Sequence, residues 1–284
     1  MGSASEEAQM ITIHTVCTPD YQWYLPTWAW SAKRLWPEIN VYAVVQGNVA
    51  PEVKSLIEAI GGDVCGNKWD YNVPKLPATT SSLRFVGEEV PGDQVLITDA
   101  DIVFLNGELW SYMERQMRPL GYSAFCGAAT HPVRPSIAPY GWSGEMQRLA
   151  GGFVMVTPRW YTATRETRRR WRELVLEGNW GAYREADEVM LCRICKGHDS
   201  LIMPDKKIDA RMRGLHLGDF CKDHRWMNEK KMQRLLPWES VTKISDMLDN
   251  CEFKNVLSVV VRHENSNVNL AWSRVIHHIN GRRS

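Results

Sequence analysis

The feature that most constrains the fold is an alternation of short β-branched runs with longer amphipathic segments over the first hundred residues. Parallel strands need long crossover connections, usually helices, so this alternation is typical of a mostly parallel sheet covered by helices. We therefore predict an α/β fold whose ligands bind beyond the carboxyl ends of the strands. The predicted order is strand 10–17, helix 23–39, strand 39–47, helix 50–62, helix 78–90 and strand 94–99.

The rest of the chain continues the pattern and then becomes helical. Further strands are predicted over 121–127 and 151–157, and further helices over 158–178 and 185–197. The division that we predict is a catalytic domain over 11–226, a helical C-terminal region over 227–284 that packs on it, and a tail over 1–9 that precedes the natural start.

Composition excludes some function classes. The 34 Lys and Arg residues nearly balance the 33 Asp and Glu residues, so the overall charge gives no reason to expect capture of a polyanion. No window approaches the roughly 18 uninterrupted apolar residues of a membrane-spanning helix, and we expect no transmembrane segment. The seven cysteines are an odd number and scattered, which favours free thiols and a cytoplasmic location.

The segment VLITDADIVFLNG, residues 95–107, places two carboxylates one residue apart at the end of an apolar strand. Buried carboxylates are costly unless a positive group meets them. Asp99 and Asp101 are the ligand type that Mg²⁺ and Mn²⁺ prefer, and such ions share their coordination with substrate phosphates. A tight turn in which the aspartates accept backbone hydrogen bonds is the alternative. Apolar strand-like runs precede Asp99 and follow Asp101, and this setting favours the metal site over the turn.

QVLITDADIVFLNG resembles the DxD segment of GT-A-fold, nucleotide-sugar-dependent glycosyltransferases, and the order of the other segments is similar to the glycogenin-like and bacterial galactosyltransferase family (family 8). ITIHTVCTPDYQWYLPTWAWSAKRL resembles its nucleoside-contacting first strand and first helix, and ATTSSLRF its helix with a basic residue aimed at the diphosphate. GGFVMVTPRWY resembles the strand beside the donor sugar, and GLHLGDF the late segment whose histidine completes the metal site. The resemblance covers residues 11–226.

The resemblance implies a GT-A (Rossmann-like) sheet, flanking helices, a helical C-terminal extension and a metal-dependent hexosyltransferase. Mn²⁺ or Mg²⁺ would be held by Asp99, Asp101 and His216. The donor would be a nucleoside-diphosphate sugar, with a UDP-sugar favoured, and the acceptor a hydroxyl of a glycan, a lipid-linked molecule or a modified base in DNA. The donor-binding residues would be Thr15, Thr18, Arg84, Asp99, Asp101, Gly151, Gly152 and Lys222.

The sequence departs from the family in two segments. HLGDFCKDHRW lacks the family's Lys-Pro-Trp continuation, and Lys222 is the nearest substitute for its lysine. EADEVML stands where the family has an acidic Asp-Gln-Asp helix, which leaves the choice between retention and inversion open. Asp187 and Glu188 are the catalytic candidates, as a general base or as the group that shields a cationic centre, and we favour Asp187. Stabilisation of a helix N-terminus is the alternative role.

Three further interpretations stay open. A nucleotidyltransferase or a non-catalytic nucleotide-binding α/β protein could use Asp99 and Asp101 to hold Mg²⁺, although no glycine-rich phosphate loop follows the first strand. A zinc site could form from two spaced pairs, Cys192 with Cys195 and Cys221 with His224, with His198 as a further ligand; apolar packing is the alternative. A basic helix surface could contact phosphate or be merely solvated. Its residues are Arg165, Arg168, Arg169, Arg170 and Arg172, with Trp160, Tyr161 and Trp171 among them.

Overall fold

The computed structural model describes most of the 284 residues. The described ranges are 9–66, 77–128, 149–177, 186–196, 198–204, 214–221, 232–233, 235–262 and 267–283. Four sequence predictions fall outside them: the tail before residue 9, the lysine at 222, the possible zinc ligand at 224 and the domain boundary between 226 and 227.

The strands of the described residues are short and mostly buried. They are β1 (Ile11–Cys17), β2 (Asn40–Val45), β3 (Asp63–Gly66), β4 (Gln94–Thr98), β5 (Ile102–Val103), β6 (Ala124–Ala128), β7 (Leu149–Val156), β8 (Ser200–Pro204) and β9 (Leu215–His216).

The helices alternate with these strands and then close the chain. They are α1 (Leu25–Leu35), α2 (Pro51–Ala59), α3 (Pro77–Val86), α4 (Glu108–Met117), α5 (Pro158–Leu176), α6 (Ala186–Cys195), α7 (Trp238–Asp249), α8 (Cys251–Arg262) and α9 (Asn267–Arg283). Helices α2 and α5 each begin with proline at the first helical position, where its missing N–H has no partner to lose and its φ is already helical. None of the described helices has the length and apolar character needed to cross a membrane.

Seven of the described strands form one sheet in the order β3-β2-β1-β4-β7-β6-β8. Strands β3, β2, β1 and β4 are parallel, β7 is antiparallel to both of its neighbours, and β8 is parallel to β6. The predicted mostly parallel sheet with flanking helices is therefore confirmed, and so is the helical character of the C-terminal region. The carboxyl end of β4, at Thr98, lies in the middle of this sheet.

Alternating side chains of the strands supply two hydrophobic cores, one on each face of the sheet. On one face Ile13 of β1 and Leu96 of β4 share a buried cluster with α1 and the C-terminal helices, where the ring of Phe253 contacts those of Trp30 and Trp272 in tilted and edge-on arrangements. On the other face Val16 and Ile97 pack against α3, α5 and α6. Burial on both faces explains why β4 reads as a continuous apolar run.

Strands β5 and β9 form a separate two-stranded ribbon outside the main sheet. Ile102 pairs with His216 and Val103 with Leu215, in antiparallel register. Gly214 precedes β9 with φ of +92°, and a Cβ there would lie 2.2 Å from the carbonyl oxygen of Val103. Only glycine fits that backbone position without displacing the ribbon. The ribbon brings the chain around residue 216 back to the end of β4.

Candidate metal centre

The DxD segment occupies the carboxyl end of β4, as predicted. The preceding Thr98 is fixed from two sides, since its hydroxyl accepts a hydrogen bond from Trp28 Nε1 at 2.9 Å and its carbonyl accepts one from Thr15 Oγ1 at 2.8 Å. Asp99 and Asp101 follow in a tight turn between β4 and β5. The side chain of Asp101 is 6% exposed and that of Asp99 is 29% exposed. Two carboxylates are thus held at the edge of the core.

His216 completes a compact group of three side chains. Its Nε2 lies 3.1 Å from Asp101 Oδ1 and 3.8 Å from Asp99 Oδ2. One ligand atom from each of the three side chains lies within 4.8 Å of the other two, and this is the one such metal-competent group among the described residues. The predicted metal ligands are therefore brought together, although His216 follows Asp101 by 115 positions in the chain.

Two glycines make room for the carboxylates. A Cβ at Gly152 would lie 2.9 Å from Asp99 Oδ2, and a Cβ at Gly218 would lie 2.2 Å from Asp101 Oδ2. The backbone N–H of Gly218 donates to Asp101 Oδ2 at 3.1 Å, and the N–H of Leu217 donates to the Asp101 carbonyl at 2.7 Å. Any larger residue at either glycine would press on a carboxylate oxygen of this group. Gly152 was predicted from the resemblance, whereas Gly218 was not predicted.

Asp219 is a further residue of the site that the sequence analysis missed. Its Oδ2 lies 3.4 Å from His216 Nδ1, on the opposite side of the imidazole from the two metal-binding carboxylates. A carboxylate at this position favours a proton on Nδ1, which would leave Nε2 as the nitrogen that could bind an ion between Asp99 and Asp101. The signal that could have revealed it is the spacing of three residues between His216 and Asp219.

Arg84 connects the aspartates to α6. Its guanidinium donates to Asp99 Oδ1 through one nitrogen and to Asp187 Oδ2 through the other, the latter at 2.9 Å. Helical side chains tilt toward the N-terminus of their helix, so Arg84 reaches from the last turn of α3 back to the carboxyl edge of the sheet. The guanidinium is predicted to contact a donor diphosphate, and in the structure it is engaged by two carboxylates.

Charge and burial act against each other in this group. Burial alone would lower the pKa of Arg84, but Asp99 and Asp187 hold it above the usual range. Burial alone would raise the pKa of Asp99, but Arg84 and then His216 hold it below the usual range. Burial alone would lower the pKa of His216. The neighbouring carboxylates, Asp101 foremost, outweigh that effect and raise the pKa well above its usual value. Arg84 and His216 are thus the positive groups that keep Asp99 ionised.

Asp187 lies in the first turn of α6 and is 7% exposed. Burial raises its pKa, with Arg84 opposing that rise. The backbone N–H of the half-buried Glu188 also hydrogen-bonds to the Asp187 carboxylate. The structure thus brings Asp187 to the metal-binding group through Arg84. The catalytic roles of Asp187 and Glu188 stay predictions.

The other residues predicted to contact the donor lie in different surroundings. Thr15 is fully buried, and its hydroxyl serves as a link between β1 and β4, which weighs against contact with a nucleoside. Thr18 is 8% exposed at the start of a short 3₁₀ helix, Pro19–Tyr24, just beyond the carboxyl end of β1. Gly151 lies within β7 beside Gly152. Donor binding by these residues, and by Lys222, stays a prediction.

The described cysteines do not come together as a zinc site. Cys192 and Cys195 are buried on α6, in the core that contains Cys126, and Cys126 Sγ lies 3.6 Å from Cys195 Sγ. Cys221 instead packs against the other core, where its Sγ lies 3.2 Å from Tyr24 Oη. Because the two cores lie on opposite faces of the sheet, the apolar packing interpretation is favoured for Cys192 and Cys195.

The basic surface predicted on α5 is largely neutralised. Arg168 is 2% exposed and donates to the carbonyls of Phe85 and Gly87 at 2.8 and 2.7 Å, with its guanidinium over the rings of Trp160 and Tyr161. Burial lowers its pKa to about 10. The exposed members pair with acidic neighbours: Arg165 with Glu89, Arg169 with Glu166 and Glu173, and Arg170 with Glu166. Arg168 was wrongly placed on a solvated surface, because it caps the end of α3.

Comparisons with known proteins give similar folds at low sequence identity. No protein-family model matches the chain, and no curated protein matches it. The glycosyltransferase GlyE of Streptococcus pneumoniae TIGR4 is similar at 18% identity and a TM-score of 0.47 over 70% of this chain and 46% of that one. Core-mannan synthase A of Aspergillus fumigatus, in a Mn/GDP form, is similar at 10% identity and a TM-score of 0.46, over 72% and 75%.

A nucleotidyl-type enzyme also appears among the similar structures. The 4-diphosphocytidyl-2C-methyl-D-erythritol synthase of Anaerococcus prevotii is similar at 10% identity and a TM-score of 0.39, over 70% of this chain and 90% of that one. The chain spans about half the length of GlyE. Likenesses at this level do not establish a function, which must come from the residues of the site.

Proposed function

We propose that the protein is a metal-dependent glycosyltransferase that moves a sugar from a nucleoside-diphosphate sugar to an acceptor hydroxyl. The observation that carries the proposal is the group formed by Asp99, Asp101 and His216 beyond the carboxyl end of β4. That edge is where parallel α/β sheets bind their ligands. A UDP-sugar is the favoured donor, and a glycan, a lipid-linked molecule or a modified base in DNA is the proposed acceptor.

The residues of the group fit a divalent ion. Two carboxylates and one imidazole are the oxygen and nitrogen donors that Mn²⁺ accepts, and Mg²⁺ accepts the carboxylates. Gly152 and Gly218 leave the space around the carboxylate oxygens that a larger residue would fill. When bound, the ion would neutralise charge on the diphosphate as the sugar leaves it. Asp99, Asp101 and His216 would hold it, with Asp219 orienting His216.

The remaining side chains act through position and charge. Arg84 fixes Asp99 on one side and Asp187 on the other, so the metal-binding group and the start of α6 keep a constant separation. Asp187 is therefore held where it could shield positive charge on the sugar or accept a proton from the acceptor hydroxyl. Burial raises the pKa of Asp187, which suits a proton acceptor, while Arg84 opposes that rise and favours the ionised form.

The experiment is a donor survey. The protein is incubated with Mn²⁺ and a panel of UDP-, GDP- and ADP-sugars, and released nucleoside diphosphate is measured with and without EDTA. We expect release from at least one donor, its loss in EDTA, and its loss in Asp101→Asn. Asp246→Asn, which removes an exposed carboxylate on α7, is the matched control and should keep full activity.

The same assay separates the alternative function. Release of pyrophosphate from CTP or UTP, with no nucleoside diphosphate from any sugar donor, would identify a nucleotidyltransferase and overturn the proposal. Turnover that persists in EDTA would also overturn it, because the metal-binding group would then have no part in the reaction.

A further inference from the structure

A cavity of about 650 Å³ lies on the face of the sheet that packs against α3. It is lined by the first halves of β1 and β2, the start of β3 and the segment that follows α3. The candidate metal centre lies beyond the carboxyl ends of the strands, so the cavity opens at the opposite edge. Volumes of roughly 300–1,000 Å³ are usual for sites that take small organic molecules.

The imidazole of His14 is a buried polar group that lines this cavity. His14 is 3% exposed, and its ring stacks on Tyr42 with centroids 5.4 Å apart and an interplanar angle of 19°. Its Nδ1 lies 3.1 Å from the Tyr42 carbonyl oxygen, which can only accept, so Nδ1 carries the proton. The Nε2 lone pair is then an acceptor, and it has no partner among the described residues.

The imidazole stays neutral, so it remains an acceptor over the usual pH range. The pKa of His14 is lowered to about 4, mainly by burial. The hydrogen bond to Tyr42 opposes this lowering, and the positive charge of Arg84 adds to it. The same cavity is lined by the apolar side chains of Val44 and Leu83, which are 3% and 1% exposed. A ligand that enters must therefore bring a donor for Nε2 and an apolar body for these walls.

The mouth of the cavity is acidic. Asp63 and Glu88 are exposed residues of the lining. Both carboxylates lie close enough to raise the pKa of the Tyr42 phenol, which is raised mainly by burial and by its hydrogen bond with Cys65. Glu89 is a third acidic lining residue, paired with Arg165 at 3.5 Å. The described lining contains neither lysine nor arginine. The charge at the mouth therefore favours a cation.

We propose that this cavity is a second binding site, for a small aromatic amine. The aromatic body would pack on Val44, Leu83 and Tyr42, an N–H group would donate to His14 Nε2, and the ammonium group would lie near Asp63 and Glu88. The site is separate from the metal centre and does not depend on the proposed transferase activity.

Two probes of matched shape test the site. Tryptamine and indole-3-propionate share the indole N–H and ring and differ in the charge of the side chain. Binding is followed by calorimetry and by the nitrogen resonances of the His14 imidazole. We expect tryptamine to bind and to shift the Nε2 resonance, and indole-3-propionate to bind at least about tenfold more weakly, since a like charge replaces an opposite one at the mouth.

Two surface substitutions then test whether the acidic residues at the mouth select the cationic probe. Asp63→Asn with Glu88→Gln alters only exposed side chains, so the protein should fold, and the preference for tryptamine over indole-3-propionate should fall several-fold. Mn²⁺ binding should be unchanged in this variant and in the presence of tryptamine. The proposal is overturned if the His14 resonances do not respond to tryptamine, or if both probes bind equally well to the unaltered protein.

Discussion

At the scale of single residues, the candidate metal centre depends on residues that would not bind the ion themselves. Gly218 and Gly152 provide space, and Asp219 orients an imidazole, so each acts through a neighbour. Such supporting residues are as necessary to a metal site as its ligands, because they fix the direction of the ligand lone pairs. Two predictions follow from this division of roles.

Replacement of Asp219 by asparagine should weaken Mn²⁺ binding by about 10- to 100-fold, the usual effect of losing a carboxylate that orients a ligating histidine. Asp219→Glu keeps the charge and should recover part of the affinity. Calorimetric titration of Mn²⁺ into the three proteins measures this. Equal affinities in all of them would show that Asp219 has no part in orienting His216.

Substitution of Gly218 by alanine should abolish Mn²⁺ binding while the protein stays folded. The added methyl carbon would lie 2.2 Å from Asp101 Oδ2, so the carboxylate must move away from His216. Gly281→Ala on α9 is the control, since a Cβ there meets nothing within 4 Å. Circular dichroism establishes the fold of both variants, and a Gly218→Ala protein that binds Mn²⁺ normally contradicts the geometry described for the site.

At the scale of elements, α5 and α3 are joined by one buried guanidinium. Arg168→Met should destabilise the protein by about 2–4 kcal/mol, because two carbonyls at the end of α3 lose a charged donor while the apolar stem is retained. Arg170→Met, at a side chain that is 73% exposed, should change stability by less than about 0.5 kcal/mol. Urea unfolding of both variants measures the difference, and similar midpoints would refute the role of Arg168.

Which elements can be predicted from sequence follows from their length. Strands β1, β2 and β4 carry five to seven largely apolar residues, and glycine or proline bounds the helices between them, so periodicity reveals them. Strand β3 has four residues and a single buried one, and β5 and β9 have two residues each, which is too few for any period. Helix α4 and strand β8 were also missed.

The candidate site shows the same limit. Asp99 and Asp101 stand out because carboxylates directly follow an apolar strand. Arg84 and Asp187 are 103 positions apart, and no spacing in the sequence indicates that they form an ion pair. His216 was reached through the resemblance to a family, because its two-residue strand has no signal of its own. Contacts made by tertiary folding, rather than by local pattern, therefore had to come from the structure.

At the scale of the whole molecule, a buried neutral histidine in the central sheet should make stability depend on pH. The pKa of His14 is about 4 in the folded protein and about 6.5 in an unfolded chain, so the unfolded state takes up the proton first. Stability that is present above pH 6.5 is therefore lost as the pH falls toward 4, by up to roughly 3 kcal/mol.

The His14→Gln variant removes that titration. Its stability should fall less steeply between pH 6.5 and 4 than that of the unaltered protein, in urea unfolding measured across the range. Parallel curves for the two proteins would mean that acid destabilisation arises from other groups.

The ribbon of β5 and β9 also sets the order in which a newly made chain can complete its candidate metal centre. Asp101 leaves the ribosome 117 residues before Gly218, whose N–H holds the Asp101 carboxylate. At ordinary rates of synthesis this interval is on the order of ten seconds. Throughout it the aspartates lack their histidine, so a nascent chain would carry an unfinished candidate ion-binding site until residues 216–218, about three quarters of the way along the 284 residues, have been made.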